Sequence, residues 1–266
     1  IETSNLCNAA CLLCPRDALT RSKGQMTWDT FKTIVDKVLA FRDTRAISFS
    51  GLGEPLLNPL LPRFIAYVAP HVQTYVTTNG SLLEKDTTSA LLRAGLHTLI
   101  LSYNGAEADS YERIMANLHY ERVQAAIKRT VALAKGRLRL MANVTVSNLT
   151  KQELPAIRSR LNELGIREIV YSLCHNRGGN LRDRSLCSMP PLPPMTRCDI
   201  FAETTFVAWN GLVLACCHDL GGSEVLGDLT CMSAEELSAK RAAILEEGVR
   251  FPMCAECNDV YRLHED

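Results

Sequence analysis

The feature that most constrains this chain is a group of three cysteines close to its first residue. Cys7, Cys11 and Cys14 follow a short β-type segment (1–4) and are spaced Cys-x3-Cys-x2-Cys. Cysteine thiolates are soft ligands that suit zinc, copper(I) or iron–sulfur clusters. A closed structural zinc site takes four protein ligands. Three thiolates therefore predict a metal or cluster that keeps one position open for a ligand that is not protein.

The composition predicts a well-packed globular protein. The chain has 266 residues, 47% apolar and 22% charged, enough for one large α/β domain with a small appendage. Lysine plus arginine equal aspartate plus glutamate at 29 each, so we expect no nucleic-acid partner. No transmembrane-length apolar run and no secretory signal are recognisable, so we expect no membrane partner and a cytoplasmic location. Because the cytoplasm is reducing, 11 cysteines indicate metal binding or redox chemistry.

Hydrophobic periodicity predicts strands that alternate with helices over residues 1–173. The predicted strands are 1–4, 46–50, 72–77, 97–102, 138–146 and 167–173; the predicted helices are 28–41 (capped by Thr27), 60–68, 87–94, 120–134 and one opened by the capping box Thr150-x-x-Glu153. Six such units without a dinucleotide-binding glycine pattern favour an α/β fold, a partial (β/α)6 TIM-like barrel. In such barrels the chemistry lies at the carboxyl ends of the strands.

From residue 174 the alternation stops. We expect a linker over 174–197, which contains Asn176-Arg177-Gly178-Gly179-Asn180 and a proline-rich segment at 189–194. A small domain is expected over 198–266. In it, Asn210-Gly211 predicts a β-hairpin over 207–215, and Ser233-x-x-Glu236 predicts the start of a helix.

The small domain carries a second set of cysteines. The hairpin is expected to bring Cys198 and Cys216 together, and the helix returns the chain to Cys254-x-x-Cys257. Four thiolates gathered in this way suit either a Zn(Cys)4 site or a [4Fe–4S] cluster. Their spacing alone does not distinguish the two.

Two motifs taken together resemble the radical SAM superfamily. Cys7, Cys11 and Cys14 have the spacing of its cluster motif, and Gly51-Leu52-Gly53-Glu54-Pro55 resembles its Gly-Gly-Glu-Pro motif. The resemblance implies that the three cysteines hold a [4Fe–4S] cluster whose fourth iron binds S-adenosylmethionine (SAM). It also implies reductive cleavage of SAM to a 5′-deoxyadenosyl radical, which removes hydrogen from a substrate C–H bond, and a reductant such as flavodoxin or ferredoxin.

The same resemblance implies a set of SAM-binding residues at the strand ends. By position these are Gly51, Gly53, Glu54, Pro55, Asn79, Ser102 and Asn143. Asn79 belongs to Thr78-Asn79-Gly80, which is equally well explained as a plain turn. Asn104 stands where many members of the superfamily have aspartate.

The order of features in the tail resembles the SPASM/twitch extension of radical SAM enzymes. The smaller twitch type matches better, which implies one auxiliary [4Fe–4S] cluster held by Cys198, Cys216, Cys254 and Cys257. The neighbouring Cys217 is then a candidate donor of a hydrogen atom to a substrate radical. Arg177 is a candidate substrate-binding residue, because its Asn-Arg-Gly-Gly context is similar to that of the twitch-type 2-deoxy-scyllo-inosamine dehydrogenase; a solvated loop arginine is the alternative.

We therefore expect a radical SAM enzyme of antibiotic biosynthesis that acts on a small polar natural product, namely an aminoglycoside, aminosugar or cyclitol. Epimerisation with Cys217 as hydrogen-atom donor is the favoured outcome. The alternatives are oxidation of a secondary alcohol through the auxiliary cluster, radical modification of a ribosomal peptide, and a non-catalytic zinc-binding protein. Cys174, Cys187 and Cys231 are expected to pack as small hydrophobic side chains, and the histidines to be structural.

Overall fold

A parallel five-stranded sheet with helices between its strands forms most of the molecule, as a computed structural model shows for residues 1–40, 44–187 and 197–259. All neighbouring strands are parallel, which confirms the α/β class and the partial-barrel arrangement. Their carboxyl ends therefore share one edge of the sheet. In spatial order the strands are β1 (Ala46–Phe49), β2 (Gln73–Thr78), β3 (Thr98–Ser102), β4 (Arg139–Val146) and β5 (Glu168–Leu173).

The helices that accompany this sheet largely follow the predicted periodicity. Thr27 caps the first of them, because its hydroxyl accepts the Thr30 N–H at 3.2 Å. Within the described ranges, no helix combines the length and apolar character needed to cross a membrane. The predicted end of the first helix, residue 41, lies outside the described residues. The helices are α1 (Trp28–Ala40), α2 (Leu61–Val68), α3 (Lys85–Arg93), α4 (Ala108–Ile114), α5 (Tyr120–Ala134) and α6 (Leu154–Glu163).

An aromatic stack anchors α1 and α2 to the sheet. The rings of Phe31 and Phe64 stack with their centroids 4.2 Å apart, and Phe49 of β1 lies 6.1 Å from Phe31. All three side chains are fully buried. Burial of a phenylalanine contributes roughly 1.5–3 kcal/mol, so this stack fixes the first βα unit that carries the Gly51–Pro55 turn.

The sixth predicted strand, residues 1–4, joins the sheet at one residue only. The Ile1 nitrogen donates to the Ser48 carbonyl (2.7 Å) and the Ser50 N–H donates to the Ile1 carbonyl (3.2 Å), the pattern of a parallel pair with β1. The chain then leaves the sheet, because Glu2 N–H donates to the Val207 carbonyl instead. The prediction of six regular strands was therefore wrong for residues 1–4, which do not form a regular strand.

Two further local predictions differ from the structure. Helix α4 has no counterpart among the predicted elements. The capping box predicted at Thr150-x-x-Glu153 does not form, because the Thr150 hydroxyl accepts the Ser147 N–H (2.8 Å) and donates to the Thr145 carbonyl. α6 begins after Glu153 without a side-chain cap.

A small antiparallel sheet follows the parallel one. The hairpin predicted at Asn210-Gly211 is confirmed, and Gly211 has the positive φ (94°) that its turn requires. The third strand of this sheet was not expected from the sequence. The predicted proline-rich segment 189–194 lies outside the described residues. The elements are α7 (Asp199–Glu203), β6 (Phe206–Val207), β7 (Leu212–Leu214), β8 (Val225–Asp228) and α8 (Ala234–Glu247).

Two of the three cysteines expected to pack as small hydrophobic side chains do so, but as a disulfide. Cys174, which follows β5, is buried in the core and disulfide-bonded to Cys187, which packs against the core 13 residues further on. The two meet because Asn148, beyond the end of β4, binds the short helical turn that precedes Cys187: its N–H donates to the Leu186 carbonyl at 2.9 Å. The expectation was wrong for Cys231, which is exposed.

The capping box that opens α8 gives a direct test of this part of the fold. Ser233 Oγ accepts the Glu236 N–H (3.1 Å), and the Glu236 carboxylate accepts the Ser233 N–H (2.8 Å). Ser233→Ala should lower the free energy of unfolding by about 1 kcal/mol. Ser238→Ala, exposed in the middle of α8, is the matched control and should leave stability unchanged or slightly raised. Urea unfolding measures both; equal losses would contradict the capping role.

Candidate active site

The cysteine loop, residues 7–14, is supported by α4. The Leu12 N–H donates to the Ile114 carbonyl at 2.9 Å. The Cys11 thiol lies beside the residue that ends the helix, with 3.7 Å between its Sγ and Met115 Sδ. The helix that sequence reasoning missed therefore positions the middle cysteine of the motif.

The three thiols of this loop are half-buried and repel one another when ionised. Burial, together with the charges of Cys14 and Cys7, raises the pKa of Cys11 to about 12. Burial also raises the pKa of Cys14. Three thiolates in this place need a bound positive group to stabilise them, which is what a metal cluster supplies.

The turn after β1 packs directly on the chain that enters the cysteine loop. A Cβ at Gly53 would lie 2.1 Å from the Ser4 carbonyl oxygen and 2.5 Å from that of Leu6, so only glycine fits. The Glu54 N–H donates to the same Leu6 carbonyl at 2.8 Å. The Gly-x-Gly-Glu-Pro sequence thus allows two backbone segments to touch beside the cysteines.

The carboxylate of Glu54 is buried and bound by protein donors. It accepts hydrogen bonds from the Leu56 N–H (3.0 Å), the Thr78 hydroxyl (2.7 Å) and the Asn79 N–H (2.8 Å). Burial raises the pKa of Glu54, whereas these three donors favour its ionised form. The side chain therefore ties the turn to the end of β2. Pro55, also buried, begins the short helical turn that follows.

A buried ion pair holds the same turn from the other side. Arg21 donates two hydrogen bonds, both of 2.6 Å, to the carboxylate of Glu2, which is fully buried. Glu2 also accepts the Leu52 N–H at 3.2 Å, and a Cβ at Gly51 would lie 2.7 Å from the Glu2 side chain. No sequence motif marks this pair, because its members contact the turn only after the chain has folded.

The other predicted SAM-binding side chains lie on neighbouring strands: Asn79 and Ser102 at the carboxyl ends of β2 and β3, and Asn143 in the middle of β4. Asn79 is buried, and its Nδ2 donates to Asn8 Oδ1 in the cysteine loop at 3.0 Å. Ser102 and Asn143 are partners in the register of β3 and β4, which puts their side chains on one face. Asn143 Oδ1 accepts the Ser172 hydroxyl of β5 at 2.7 Å.

Asn104, which stands where many members of the superfamily have aspartate, has a structural role. It is buried, its Oδ1 accepts the Thr145 N–H at 2.7 Å, and its Nδ2 lies 3.4 Å from Met115 Sδ. The side chain therefore links β4 to the residue that contacts Cys11.

Four cysteines of the chain after β5 line one cavity. Cys198, Cys216, Cys254 and Cys257 all line it, whereas Cys217 does not. Four thiols in mostly apolar surroundings suit a zinc ion or an iron–sulfur cluster. The other lining side chains include the apolar Ile200, Phe201, Val249 and Phe251 and the polar His218 and Asp259.

The loop that carries Arg177 is fastened to the small domain. Asn176 and Asn258 exchange hydrogen bonds: the Asn176 N–H donates to Asn258 Oδ1 (2.7 Å), and the Asn258 N–H donates to Asn176 Oδ1 (3.3 Å). At the other end of the loop, Asn180 Nδ2 donates to the His218 carbonyl at 2.9 Å. The position of Arg177 is thus set by the cysteine-rich tail as well as by β5.

Two histidines that the sequence left as structural converge on one carboxylate in this region. Asp259 Oδ2 lies 3.2 Å from His175 Nε2 and 3.0 Å from His218 Nε2. Burial, with the charge of Arg177, lowers the pKa of His175 to about 3. Burial also lowers the pKa of His218, but the charge of Cys217 and the hydrogen bond with Asp259 outweigh it and raise the pKa to about 9. No spacing signal identifies this group, because its members come from three separate segments.

Cys217 lies beside His218, and the charge of Arg177 acts on Cys217 and on Cys14. Cys217 Sγ is 3.7 Å from His218 Nδ1. A hydrogen bond between the adjacent thiols lowers the pKa of Cys217 and raises that of Cys216, so that one of the pair ionises more readily. The charge of Arg177 lowers the pKa of Cys217, and it also lowers that of Cys14 against the larger effect of burial. Arg177 is therefore within electrostatic range of one thiol of the first loop and of Cys217.

Comparison with known protein families identifies the chain. The model of the Radical SAM superfamily matches residues 1–161, from the cysteine loop into α6. The chain belongs to the radical SAM superfamily. Members of this superfamily bind SAM and a [4Fe–4S] cluster, which fits the half-buried thiols of Cys7, Cys11 and Cys14 and leaves the non-catalytic zinc protein without support.

Curated relatives match 60–65% of this radical SAM chain. A probable GTP 3′,8-cyclase of Methanococcus maripaludis is 32% identical over 162 residues, which is 60% of this chain and 53% of the relative. The cofactor-modifying protein for a tungsten-containing aldehyde ferredoxin oxidoreductase of Pyrococcus furiosus is 23% identical over 65% of this chain and 50% of its own length. The chain therefore spans about half the length of the curated relatives it matches.

Solved radical SAM structures match over nearly the whole chain, including the tail. BtrN in complex with AdoMet and 2-DOIA has a TM-score of 0.65 and 21% identity and covers 100% of this chain and 94% of BtrN. AnSMEcpe with bound AdoMet has a TM-score of 0.69 and 16% identity over 96% of this chain and 87% of its own. SuiB of Streptococcus suis with its precursor peptide SuiA has a TM-score of 0.74 and 14% identity over 97% of this chain and 68% of its own. At these identities the likeness concerns the fold.

The reciprocal contact of Asn176 with Asn258 predicts a coupled pair. Either change to alanine leaves partly buried backbone or amide groups without partners and should lower the free energy of unfolding by about 1–3 kcal/mol. The double variant should lower the free energy of unfolding by clearly less than the sum of the losses in the two single variants. Asn162→Ala, exposed in α6, is the control and should have little effect. Urea unfolding of the four proteins gives the coupling; additive costs would show that the two residues act independently.

Proposed function

We propose that this radical SAM enzyme inverts one carbon centre of a small polar natural product, such as an aminoglycoside, aminosugar or cyclitol, with Cys217 as hydrogen-atom donor. The position of Cys217 carries the proposal. It adjoins the cavity lined by Cys198, Cys216, Cys254 and Cys257 and contacts His218. It also shares with Cys14 the influence of the Arg177 charge.

In this proposal Cys7, Cys11 and Cys14 hold the first [4Fe–4S] cluster, with SAM on its open iron. Bound there, cluster and SAM supply a 5′-deoxyadenosyl radical that takes a hydrogen atom from substrate. The chain's own share is to hold this assembly in place. The turn at Gly51–Pro55 lies against the cysteine loop and offers backbone groups at close approach, and Asn79 links the two.

Further polar contacts to SAM would come from the neighbouring strands. Ser102 and Asn143 lie side by side at β3 and β4, and each is only half-buried. A hydroxyl and an amide together can both donate to and accept from a nucleoside. Burial around the strand ends would exclude water from the reacting groups.

A second [4Fe–4S] cluster would occupy the cavity of the small domain. Four thiols and apolar walls support this choice, as does the likeness in fold to BtrN, anSMEcpe and SuiB over the tail. With Cys198, Cys216, Cys254 and Cys257 as ligands, every iron would have a protein thiolate. Such a cluster suits electron transfer or support of the site rather than direct binding of substrate.

Cys217 would quench the substrate radical by donating a hydrogen atom. Its S–H bond breaks homolytically, a C–H bond forms on the face opposite to the abstraction, and a thiyl radical stays on Cys217. One electron from a reductant such as flavodoxin or ferredoxin and one proton return the thiyl to a thiol. The substrate gains the hydrogen atom that replaces the one it lost, so the product is an isomer.

Arg177 would bind the substrate between the two sets of cysteines. The exchange of hydrogen bonds between Asn176 and Asn258 fixes its loop. A guanidinium presents a planar array of donors that suits hydroxyl or carboxylate oxygens. BtrN, similar in fold, has 2-DOIA bound in its crystal structure, and SuiB has a precursor peptide; the guanidinium of Arg177 favours a small polar substrate here.

Dehydrogenation is the second candidate, favoured by the same four-cysteine cavity. A fully ligated cluster beside the substrate can accept one electron from a carbinol radical, which then loses a proton and becomes a ketone. In that case the product is two hydrogens lighter than the substrate, and Cys217 is not needed. The two candidates therefore differ in product mass.

Two [4Fe–4S] clusters predict about eight iron atoms per chain after anaerobic reconstitution. Changing Cys254→Ser and Cys257→Ser together should reduce this to about four, because the first cluster has separate ligands. Cys231→Ser is the matched control and should keep the full count, since Cys231 is exposed and outside both groups. Iron, sulfide and zinc analyses measure the outcome. Zinc in place of half of the iron would argue for a Zn(Cys)4 tail.

Turnover in deuterated water tests the role of Cys217. With SAM, a reductant and a panel of aminoglycosides and cyclitols, the wild type should give a product of unchanged formula that carries one deuterium. Cys217→Ala should still form 5′-deoxyadenosine but lose that product, whereas Cys231→Ala should behave like the wild type. Mass spectrometry reads both products. A lighter product, formed equally by wild type and Cys217→Ala, would replace the epimerase by a dehydrogenase.

A further inference from the structure

The hydroxyl of Tyr111 has no hydrogen-bond partner, although its surroundings are closed to water. Tyr111 is on α4 and is fully buried. Its Oη is among the buried side-chain atoms without a partner in the part of the chain that the structure describes. An unsatisfied buried hydroxyl is costly, so such a group in a native site requires an explanation.

The two tyrosines packed against Tyr111 do not share this property. Their rings lie 5.3 Å (Tyr103) and 5.5 Å (Tyr120) from that of Tyr111. The Tyr103 hydroxyl accepts a hydrogen bond from Gln124, and the Tyr120 hydroxyl donates to the Ala106 carbonyl at 2.7 Å. Only the hydroxyl of Tyr111, among these three, has no hydrogen-bond partner within the described protein.

The position of Tyr111 places it on the side of α4 that supports the cysteine loop. The Met115 N–H donates to the Tyr111 carbonyl, so the two residues are one helical turn apart and their side chains share a face. Met115 Sδ contacts Cys11 Sγ at 3.7 Å. The backbone of the loop is bound along the same stretch, with the Ala10 N–H donating to the Ala116 carbonyl at 2.8 Å.

Electrostatics connect Tyr111 with the same cysteine. Burial raises the pKa of Tyr111, and among the charges that raise it further that of Cys11 comes first, before those of Glu112 and Tyr120. The hydroxyl therefore stays protonated and able to donate. It lies within reach of the field of a Cys11 thiolate.

We propose that the Tyr111 hydroxyl donates a hydrogen bond to a sulfur at the Cys11 corner of the first cluster and thereby raises the reduction potential of that cluster. The inference rests on the proposed [4Fe–4S] cluster at Cys7, Cys11 and Cys14. A hydrogen bond to a cluster sulfur stabilises the more negative, reduced form. Tyr111 is thus a positioning and tuning residue and takes no part in the transfer of hydrogen.

The test is the reduction potential of the first cluster in the reconstituted full chain, followed by electron paramagnetic resonance. The signal that changes when SAM is added identifies the cluster with the open iron. Tyr111→Phe should shift its potential to a more negative value. Tyr120→Phe, which removes a buried hydroxyl with a protein partner from the next ring, should leave the potential unchanged. 3-Fluorotyrosine at position 111, a stronger donor, should shift it in the opposite direction.

The outcomes separate this inference from the proposed function. A SAM-sensitive signal with full iron content, but the same potential in wild type and Tyr111→Phe, would overturn the hydrogen bond while leaving the cluster in place. Absence of that signal in the wild type would instead reject the cluster itself. If Tyr111→Phe fails to fold, the fluorotyrosine protein decides, because it preserves shape: an unchanged potential there would also overturn the inference.

Discussion

The site depends on one close contact between two stretches of backbone. Where Gly53 meets the carbonyls of Ser4 and Leu6, there is no room for a side chain. The contact is closed by buried polar groups on both sides, with Glu54 bound to the end of β2 and Glu2 bound to Arg21. Buried charges are stable only when paired in this way. The cysteine loop and the turn after β1 are therefore held as one unit.

The second constraint joins the small domain to the sheet. The exchange of hydrogen bonds between Asn176 and Asn258 and the convergence of His175 and His218 on Asp259 bind the loop after β5 to the four-cysteine cavity. These contacts hold the loop of Arg177 beside the four-cysteine cavity, which Gly178 helps to line. A radical enzyme needs such rigidity, because a reactive intermediate must meet its intended partner before any other.

Sequence patterns predicted the elements whose signals are local. The capping boxes differ instructively: Ser233 caps α8 as expected, whereas Thr150 is used by its own loop. Both motifs have the same spacing, and only their surroundings decide whether the capping box forms. Helix α4 was missed although it supports Cys11, and the pairing of Cys174 with Cys187 was missed because a loop closes between them. Short elements held by tertiary contacts carry little periodicity of their own.

The sequence by itself determined to which superfamily the chain belongs, since the spacing of Cys7, Cys11 and Cys14 and the glycines after β1 are local properties of a superfamily that residues 1–161 match. Only the tertiary structure decided which side chains surround these motifs. The orphaned hydroxyl of Tyr111, the Glu2–Arg21 pair and the carboxylate of Asp259 come from segments far apart in the chain. Their roles arise from burial and from hydrogen-bond geometry, which no linear spacing encodes.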